Sequence, residues 1–332
     1  MNSKVVKTLA DLAALAGVSE STASRALRDN PLINENTRRR VQQLAREQNF
    51  RINASARNLR LQKTNTVAVI IVFDASSSQA ISDPFLLAML GTLADELSQR
   101  GYDMLLTTTR SGTSTTPYMD AQRADGLIVI GQGEQEARIR ELHLEQVPFV
   151  VWGANAPDLG YSVVGSNNSK GGQLAARHLL EQGCQRLLFL GNIHHLEIRQ
   201  RWQGFLQSAP QAAQHDCDFT SAAGHSVTAA LFADGQRPYD GILAASDTIG
   251  VGAIKALNEA GIAIPQDVAI VGFDDMAIAE YAYPALSSVR QDVAGGGRQL
   301  VESLLARMAG QEPASIELDV SLVTRASSLR QQ

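Results

Sequence analysis

A short helix predicted to begin at Ser19 carries hydrogen-bonding side chains on one face. They are Glu20, Ser21, Ser24, Arg25 and Arg28, opposite the apolar Ala23, Ala26 and Leu27. The Arg25 guanidinium can donate two hydrogen bonds to a guanine edge, and the short Ser21 and Thr22 let the backbone approach a partner closely. A carboxylate such as Glu20 is tolerated beside phosphates mainly when it accepts a hydrogen bond from cytosine N4. These residues therefore predict contacts with base edges in the major groove of DNA.

The neighbouring elements predict the scaffold that would position this helix. Thr8 and Asp11 have the spacing of a capping box, and the apolar residues after them recur at helical intervals until Gly17. A third helix is predicted after Asn34. Two short helices joined by so short a turn form a helix-turn-helix, whose second helix is sized for the major groove. The alternative is a helical hairpin that serves packing alone.

Charge is distributed unevenly between this region and the rest of the chain. Residues 1–65 contain 12 Lys and Arg against 5 Asp and Glu, and residues 66–332 contain 17 against 29. A small basic head therefore precedes a large acidic body, although the net charge is −5. Positive charge concentrated in one short region predicts a polyanionic partner, whereas a solvated charged face is the alternative.

After Lys63, apolar strands alternate with helices. Predicted strands cover 67–73, 126–130, 149–152, 187–190 and 241–245, and predicted helices cover 84–100, 171–181 and 250–259. This alternation indicates parallel sheets that are covered on both faces, with ligands at the carboxyl ends of the strands. Two such sets predict two lobes around a cleft.

Composition and motifs argue against several other classes of protein. The 332 residues are 44% hydrophobic and 19% charged, which is a normal globular composition, and two cysteines are too few for a disulfide framework. No secretory or membrane-spanning segment is evident, so we expect a cytoplasmic protein without membrane contact. No Walker, dinucleotide-binding or nucleophile-elbow motif is present, and the adjacent His194 and His195 are interpreted as polar surface. No metal, cofactor or catalytic residue is predicted.

The run from Thr8 to Leu27, TLADLAALAGVSESTASRAL, resembles the opening of the LacI/GalR family of bacterial transcription regulators. The resemblance continues through residues 53–60, NASARNLR, which are similar to the family hinge, and covers nearly the whole chain. It implies a small all-α helix-turn-helix head joined to an α/β two-lobed periplasmic-binding-protein-like effector domain. The expected head is 1–50, the hinge helix and linker 51–65, and the effector-binding and dimerisation domain 66–332. Within that domain, lobe N would comprise about 66–164 and 292–316, and lobe C about 165–290 and 317–327.

The expected DNA contacts lie in the head and the hinge. They are Thr8, Ser19, Glu20, Ser21, Thr22, Arg25, Asn53, Ala56, Leu59 and Arg60. Asn53 can cap a hinge helix of about two turns, which should form only when a second hinge and the DNA order it. Leu59 suits insertion into the minor groove. A flexible linker is the alternative, whereas the resemblance implies a homodimer whose paired hinges kink a pseudo-palindromic operator. No C-terminal leucine heptad indicates a tetramer.

Nine residues are expected to contact a small-molecule effector. They are Asp83, Phe85, Trp152, Glu197, Arg201, Ser246, Asp247, Asp274 and Gln291. Arg201 in the segment RWQGF matches the effector arginine of the family, and Asp274 and Gln291 match positions that face the ligand. Sugars offer hydroxyls and an apolar ring face, so charged groups and an aromatic such as Trp152 suit them. Core packing is the alternative for Trp152, and helix capping for Ser246.

These features predict a sequence-specific DNA-binding regulator. We expect a repressor of sugar-catabolism genes that a glucoside or oligosaccharide releases from double-stranded operator DNA. The alternatives are a sugar-binding transport component, the same fold with a purine or phosphorylated corepressor, and an enzyme acting in the cleft. Transport would require export, and an enzyme would have to turn over a sugar.

Overall fold

The computed structural model describes Val6 and residues 8–50, 63–110, 123–133, 136–157 and 159–330. The chain divides into two compact units, Met1–Lys63 and Thr64–Gln332, which are considered separately below. Within the described ranges, no helix combines the length and the apolar character that crossing a membrane requires.

The first unit contains three helices, α1 (Leu9–Ala16), α2 (Glu20–Leu27) and α3 (Glu35–Glu47). The predicted capping box is present, because Thr8 Oγ1 accepts a hydrogen bond from Asp11 N at 3.1 Å and Asp11 Oδ2 accepts one from Thr8 N at 3.0 Å. Gly17 ends α1 with a φ of 63°, a left-handed conformation that favours glycine. The chain therefore turns sharply into α2, and the predicted helix-turn-helix is confirmed.

The core of this unit is built largely from small residues. Its buried members are Leu12, Ala13, Ala16, Ala23, Ala26, Val41 and Ala45. Ala23 and Ala26 are completely buried, so one face of α2 packs inward and its polar face points outward. The alternation of alanine with polar residues thus decides which side of α2 a partner can reach.

The second unit consists of two sheets flanked by helices. The strands in chain order are β1 (Thr66–Phe73), β2 (Asp103–Arg110), β3 (Gly126–Ile130), β4 (Phe149–Trp152), β5 (Val163–Ser166), β6 (Leu187–Leu190), β7 (Ala213–His215), β8 (Gly241–Ala244), β9 (Ala269–Asp274), β10 (Ser287–Gln291), β11 (Ile316–Leu318) and β12 (Val320–Val323). The helices are α4 (Pro84–Gln99), α5 (Glu136–Leu144), α6 (Asn168–Glu181), α7 (Leu196–Ser208), α8 (Ser221–Leu231), α9 (Asp247–Glu259), α10 (Ala277–Tyr281) and α11 (Val293–Met308).

The two sheets share one pattern of strand order. Lobe N contains the sheet β11-β5-β4-β3-β1-β2, and lobe C contains the sheet β12-β10-β9-β8-β6-β7. All described strand pairs are parallel except β10 with β12. The carboxyl ends of the parallel strands form the edges where ligands bind in such folds.

The chain passes between the lobes three times. It crosses after Ser166, after Gln291 and between Leu318 and Val320. The first and last crossings follow Ser166 and Leu318, which pair with each other within the sheet of lobe N. Gln291 therefore lies at the junction of the lobes.

Close packing of α6 on α7 positions one of the expected effector residues. A Cβ at Gly172 of α6 would lie 2.0 Å from the carbonyl oxygen of Arg201, and a Cβ at Gly204 of α7 would lie 1.9 Å from that of Ser169. Only glycine permits this approach of two helix backbones. The glycines therefore fix where α7 carries Arg201.

Candidate functional site

The outward face of α2 presents the side chains expected to contact DNA. Ser19 Oγ accepts a hydrogen bond from Thr22 N at 3.2 Å and lies 2.9 Å from both Ser21 Oγ and Thr22 Oγ1. Glu20 and Arg25 are exposed. This arrangement orders three short hydroxyl side chains at the start of the helix, where they and the backbone N–H groups can meet a phosphate.

Arg25 differs from the neighbouring arginines in having no partner among the described residues. Arg28 donates from Nε to the carbonyl oxygen of Ser24 at 3.0 Å, and Arg38 pairs with Asp29 at 2.7 Å. The Arg25 guanidinium thus keeps its donors available for a bidentate contact. Asn53, Ala56, Leu59 and Arg60, the expected hinge contacts, lie outside the described residues.

A cavity lies between the two lobes, with ≈ 690 Å³ of space not filled by atoms and partly open to solvent. Eight of the nine expected effector residues line it: Asp83, Phe85, Trp152, Glu197, Arg201, Ser246, Asp274 and Gln291. They come from strand ends of both sheets, from the start of α4, from α7 and from the N-cap of α9. The topology therefore assembles residues that are up to 208 positions apart, from Asp83 to Gln291, around one space.

Arg201 is the central cation of the cavity. Its side chain is buried, with Nε donating to Asn168 Oδ1 at 2.8 Å and Nη1 donating to the carbonyl oxygen of Ala245 at 2.6 Å. Its guanidinium carbon lies 3.7 Å from the centroid of the Phe273 ring. These contacts hold the planar group rigidly and leave Nη2 without an acceptor among the described residues.

Asp274 ends β9 in the left-handed region, with a φ of 110°, which an aspartate rarely adopts. Its Oδ1 accepts a hydrogen bond from Gln291 Nε2 at 2.6 Å. Burial raises the pKa of Asp274 well above its usual value, while the charge of Arg201 acts in the opposite direction. The strained backbone and the amide together aim the carboxyl group at the cavity.

Asp83, Phe85 and Trp152 form the side of the cavity that lobe N supplies. Asp83 caps α4, because its Oδ1 accepts hydrogen bonds from Phe85 N at 3.0 Å and Leu86 N at 3.2 Å. Burial raises the pKa of Asp83. The Phe85 and Trp152 rings lie 6.0 Å apart between centroids, with planes tilted by 38°. Trp152 is 7% exposed, so it serves the core of lobe N and also offers an aromatic surface to the cavity.

Ser246 and Asp247 mainly serve structure in lobe C. Ser246 Oγ caps α9 by accepting a hydrogen bond from Ile249 N at 3.3 Å. Asp247 does not line the cavity, since its carboxylate accepts from Ser288 Oγ at 2.5 Å and from Met276 N at 2.7 Å. Burial raises its pKa to about 7. Asp247 therefore ties the start of α9 to the segments after β9 and within β10.

Several lining residues were not expected from the sequence, among them His195, Gln79 and Phe219. The interpretation of His195 as polar surface is wrong, because its side chain is 15% exposed and its Nε2 lies 2.7 Å from Asp74 Oδ2. Its ring also meets Phe219 edge-on at 5.5 Å. A place in the cavity could have been predicted for His195 from its position directly before α7, because that end of the helix lies at the cleft.

Polar contacts join the lobes around the cavity. Asp218 of lobe C accepts hydrogen bonds from Ser77 Oγ at 2.7 Å and Ser78 N at 2.8 Å, both in lobe N. Thr248 Oγ1 donates to Asp83 Oδ2 at 3.4 Å. The cleft is therefore held in a closed arrangement.

In the part of the chain that is described, no group of three or more His, Cys, Asp or Glu side chains could hold a metal ion.

Comparison with known proteins gives a consistent assignment. Residues 8–53 match the family described as bacterial regulatory proteins, lacI family, and residues 176–328 match a periplasmic binding protein-like domain. The HTH-type transcriptional regulator CelR of Thermobifida fusca is 30% identical over 335 residues, which cover 96% of this chain and 98% of that protein.

Solved structures agree with this assignment. The CelR–cellobiose complex has a TM-score of 0.72 at 28% identity. The lac repressor dimer bound to operator and the anti-inducer ONPF has a TM-score of 0.85 at 24% identity, which supports the fold. Each comparison covers 97% of this chain and 99% of the other.

These relatives are named as transcriptional regulators, and none of them is named as a transport component or an enzyme. The predictions of family, fold and regulatory class are confirmed. The chain belongs to the lacI family of bacterial regulatory proteins and is a DNA-binding transcriptional regulator.

Proposed function

We propose that the protein is a sugar-responsive repressor that acts as a homodimer. Residues 1–50 bind one half-site of the operator, residues 51–65 couple the domains, and residues 66–332 bind the effector and the second copy. Two-fold symmetry then matches two half-sites of a pseudo-palindromic operator, as in other dimeric helix-turn-helix proteins.

The observation that carries the sugar proposal is the combination of an aromatic surface with hydrogen-bonding groups around one cavity. Lobe N supplies the aromatic surface of Phe85 and Trp152, whereas lobe C supplies Arg201 and Asp274, which Gln291 supports from the junction. A pyranose ring needs an apolar surface on one side and hydrogen-bonding groups around its edge. The similar regulator CelR in complex with cellobiose supports the same assignment.

The effector acts through the arrangement of the lobes. A sugar that bridges both walls stabilises the closed cleft that Asp218, Ser77 and Ser78 already join. Closure that separates the paired hinges weakens DNA binding, with a coupling free energy on the order of 1–3 kcal/mol. The coupling is reciprocal, so operator DNA weakens sugar binding by the same factor.

The test begins with selection of operator sequences from random double-stranded DNA by the purified full-length protein. Sedimentation then gives the mass of the protein with and without the selected DNA. Titrations of cellobiose, glucose, ribose and galactose, each with and without the operator, give the coupling.

The proposal expects a dimer and at least one sugar whose affinity falls on operator DNA. A monomer on DNA, or sugar affinities that the operator leaves unchanged, contradict it. Tighter sugar binding on DNA contradicts release by the sugar and makes the sugar a corepressor.

A further inference from the structure

The ionisable side chains that line the cavity are mostly acidic. Asp83, Glu197 and Asp274 supply three carboxyl groups, from the start of α4, the first turn of α7 and the end of β9. Arg201 is the arginine among the described lining residues, and no lysine is found there. His195 also lines the cavity, but its ring faces Asp74 at 2.7 Å. A ligand in this space therefore meets three carboxyl groups and one arginine.

Arg201 is poorly placed to neutralise an anionic ligand. Two of its three nitrogens donate to Asn168 and Ala245, and the guanidinium stacks on Phe273. The fork that Arg presents to a carboxylate or phosphate requires two free parallel N–H donors. Nε already donates to Asn168, so the fork formed by Nε and Nη2 is closed to a ligand, and the remaining N–H donors lie on Nη1 and Nη2. One cation among three carboxyl groups leaves no surplus of positive charge for an anionic ligand.

Glu197 adds an independent observation. Its Oε2 is buried and accepts no hydrogen bond from the described residues. A buried carboxylate oxygen that accepts no hydrogen bond costs desolvation free energy. A ligand that donates a hydrogen bond to this oxygen would offset that cost. Hydroxyl and N–H groups donate, whereas the oxygens of an ionised phosphate or carboxylate only accept. Glu197 Oε2 can therefore accept a hydrogen bond from a hydroxyl or N–H group of a ligand in the cavity.

We propose that the cavity selects uncharged, hydroxyl-bearing ligands and rejects their phosphorylated and carboxylated counterparts, with Glu197 as a specificity-determining residue. The inference rests on the proposed function, because it specifies the class of sugar that the same cavity binds. It disfavours a sugar phosphate, a uronate or a nucleotide as the effector. Like charges brought together in a desolvated site disfavour the wrong ligand strongly.

The first test compares matched neutral and anionic sugars on the full-length protein by calorimetry at neutral pH. The pairs are glucose with glucose 6-phosphate, ribose with ribose 5-phosphate, galactose with galacturonate, and cellobiose with its uronate. We expect the tightest ligand to be neutral and its anionic counterpart to bind at least roughly 100-fold more weakly. An anionic sugar that binds tightest, or within about threefold of its neutral counterpart, would overturn the inference.

The second test uses Glu197→Gln, which keeps the shape of the side chain and removes its charge. We expect the neutral sugar to bind roughly tenfold more weakly and the discrimination against its anionic counterpart to fall by about tenfold. The control is Glu181→Gln, which changes an exposed carboxylate on α6 and should alter neither value. Unchanged discrimination in Glu197→Gln contradicts the role of this residue.

Operator binding separates this inference from the proposed function. If an anionic sugar binds tightest and still weakens operator binding, the charge selection fails and the sugar-responsive regulator stands. If a neutral sugar binds selectively but leaves operator affinity unchanged, the charge selection stands and the regulatory proposal fails.

Discussion

His195 Nε2 lies 2.7 Å from Asp74 Oδ2, which joins the start of α7 in lobe C to the residue that follows β1 in lobe N. A second connection joins the same lobes, because Ser77 and Ser78 of lobe N donate hydrogen bonds to Asp218 of lobe C. The two lobes are thus joined by side chains as well as by the three crossings of the chain. Effector binding must act on these contacts if it changes the arrangement of the lobes.

The connection through Asp218 makes cleft closure testable. In Asp218→Asn, an amide NH2 group replaces one of the two oxygens that accept from Ser77 and Ser78. Because this group cannot accept a hydrogen bond, the closed cleft loses about one charge-assisted hydrogen bond. We expect the affinity for the tightest sugar to fall roughly 5- to 50-fold, as measured by calorimetry. The control is Asp216→Asn, because Asp216 contacts Gln214 within lobe C. Equal effects of the two substitutions would argue against a role in closure.

The exposed Arg25 on α2 predicts a selective effect on DNA binding. Arg25→Ala should weaken binding to the selected operator by roughly 1–3 kcal/mol, because a bidentate base contact is lost, and should leave binding to random DNA nearly intact. Fluorescence anisotropy on both DNAs gives the comparison. Arg177→Ala, which removes an exposed arginine of α6, serves as the control. Equal losses on operator and random DNA would remove Arg25 from base reading.

Arg201→Ala should separate the effector response from DNA binding. The substitution removes two buried hydrogen bonds and the contact with Phe273, so the second unit should lose on the order of 2–4 kcal/mol of stability. Sugar should no longer raise the melting temperature, whereas operator binding should persist because the head is a separate unit. Thermal melting with and without sugar, followed by anisotropy, measures both. A normal sugar response would exclude Arg201 from the effector site.

Gly204 in α7 and Gly91 in α4 predict opposite effects from the same substitution to alanine. Gly204→Ala places a Cβ 1.9 Å from the Ser169 carbonyl oxygen, so the helices must separate, with a loss of roughly 3 kcal/mol in unfolding free energy and weaker sugar binding. Gly91→Ala in α4 meets no atom within 4 Å and should stabilise the protein by about 0.5–1 kcal/mol through helix propensity. Urea unfolding compares the two variants. A tolerated Gly204→Ala would contradict the close approach of the helices.

The raised pKa of Asp247 predicts how stability depends on pH. Burial raises the pKa of this carboxyl group from 3.8 to about 7, so the folded protein retains a proton that the unfolded chain loses. The contribution of Asp247 to the free energy of unfolding is complete below about pH 4. As the pH rises from there to about 7, this contribution is lost, and the free energy of unfolding falls by at most about 4 kcal/mol.

Asp247→Asn should flatten this dependence, because the amide does not titrate. Calorimetric melting at about pH 5 and about pH 8 should show a smaller difference in the variant than in the wild type. Asp103→Asn, which changes an exposed carboxylate in β2, is the control and should keep the wild-type difference. An identical difference in all three proteins would show that Asp247 is ionised over the whole range.

The local elements and the class of the protein could be predicted from the order of residues along the chain. The Thr8–Asp11 capping box, the glycine after α1 and the apolar strands are encoded within short windows, because caps, turns and periodicity depend on neighbours in the chain. The polar face of α2 followed from the alternation of alanine with hydroxyl and arginine side chains. The motif from Thr8 to Leu27 also sufficed to indicate the family.

The set of side chains that meet in the cleft depends on how distant segments pack and could not be predicted in full from the sequence. Short or weakly apolar elements such as β7, α5 and α8 gave no clear periodic signal, and the repeated strand order of the two lobes became visible only in the sheets. Asp247 turned away from the cavity toward Ser288, and His195 turned toward Asp74, through contacts across 41 and 121 residues. Such side-chain directions depend on packing between distant segments, which no local pattern of residues encodes.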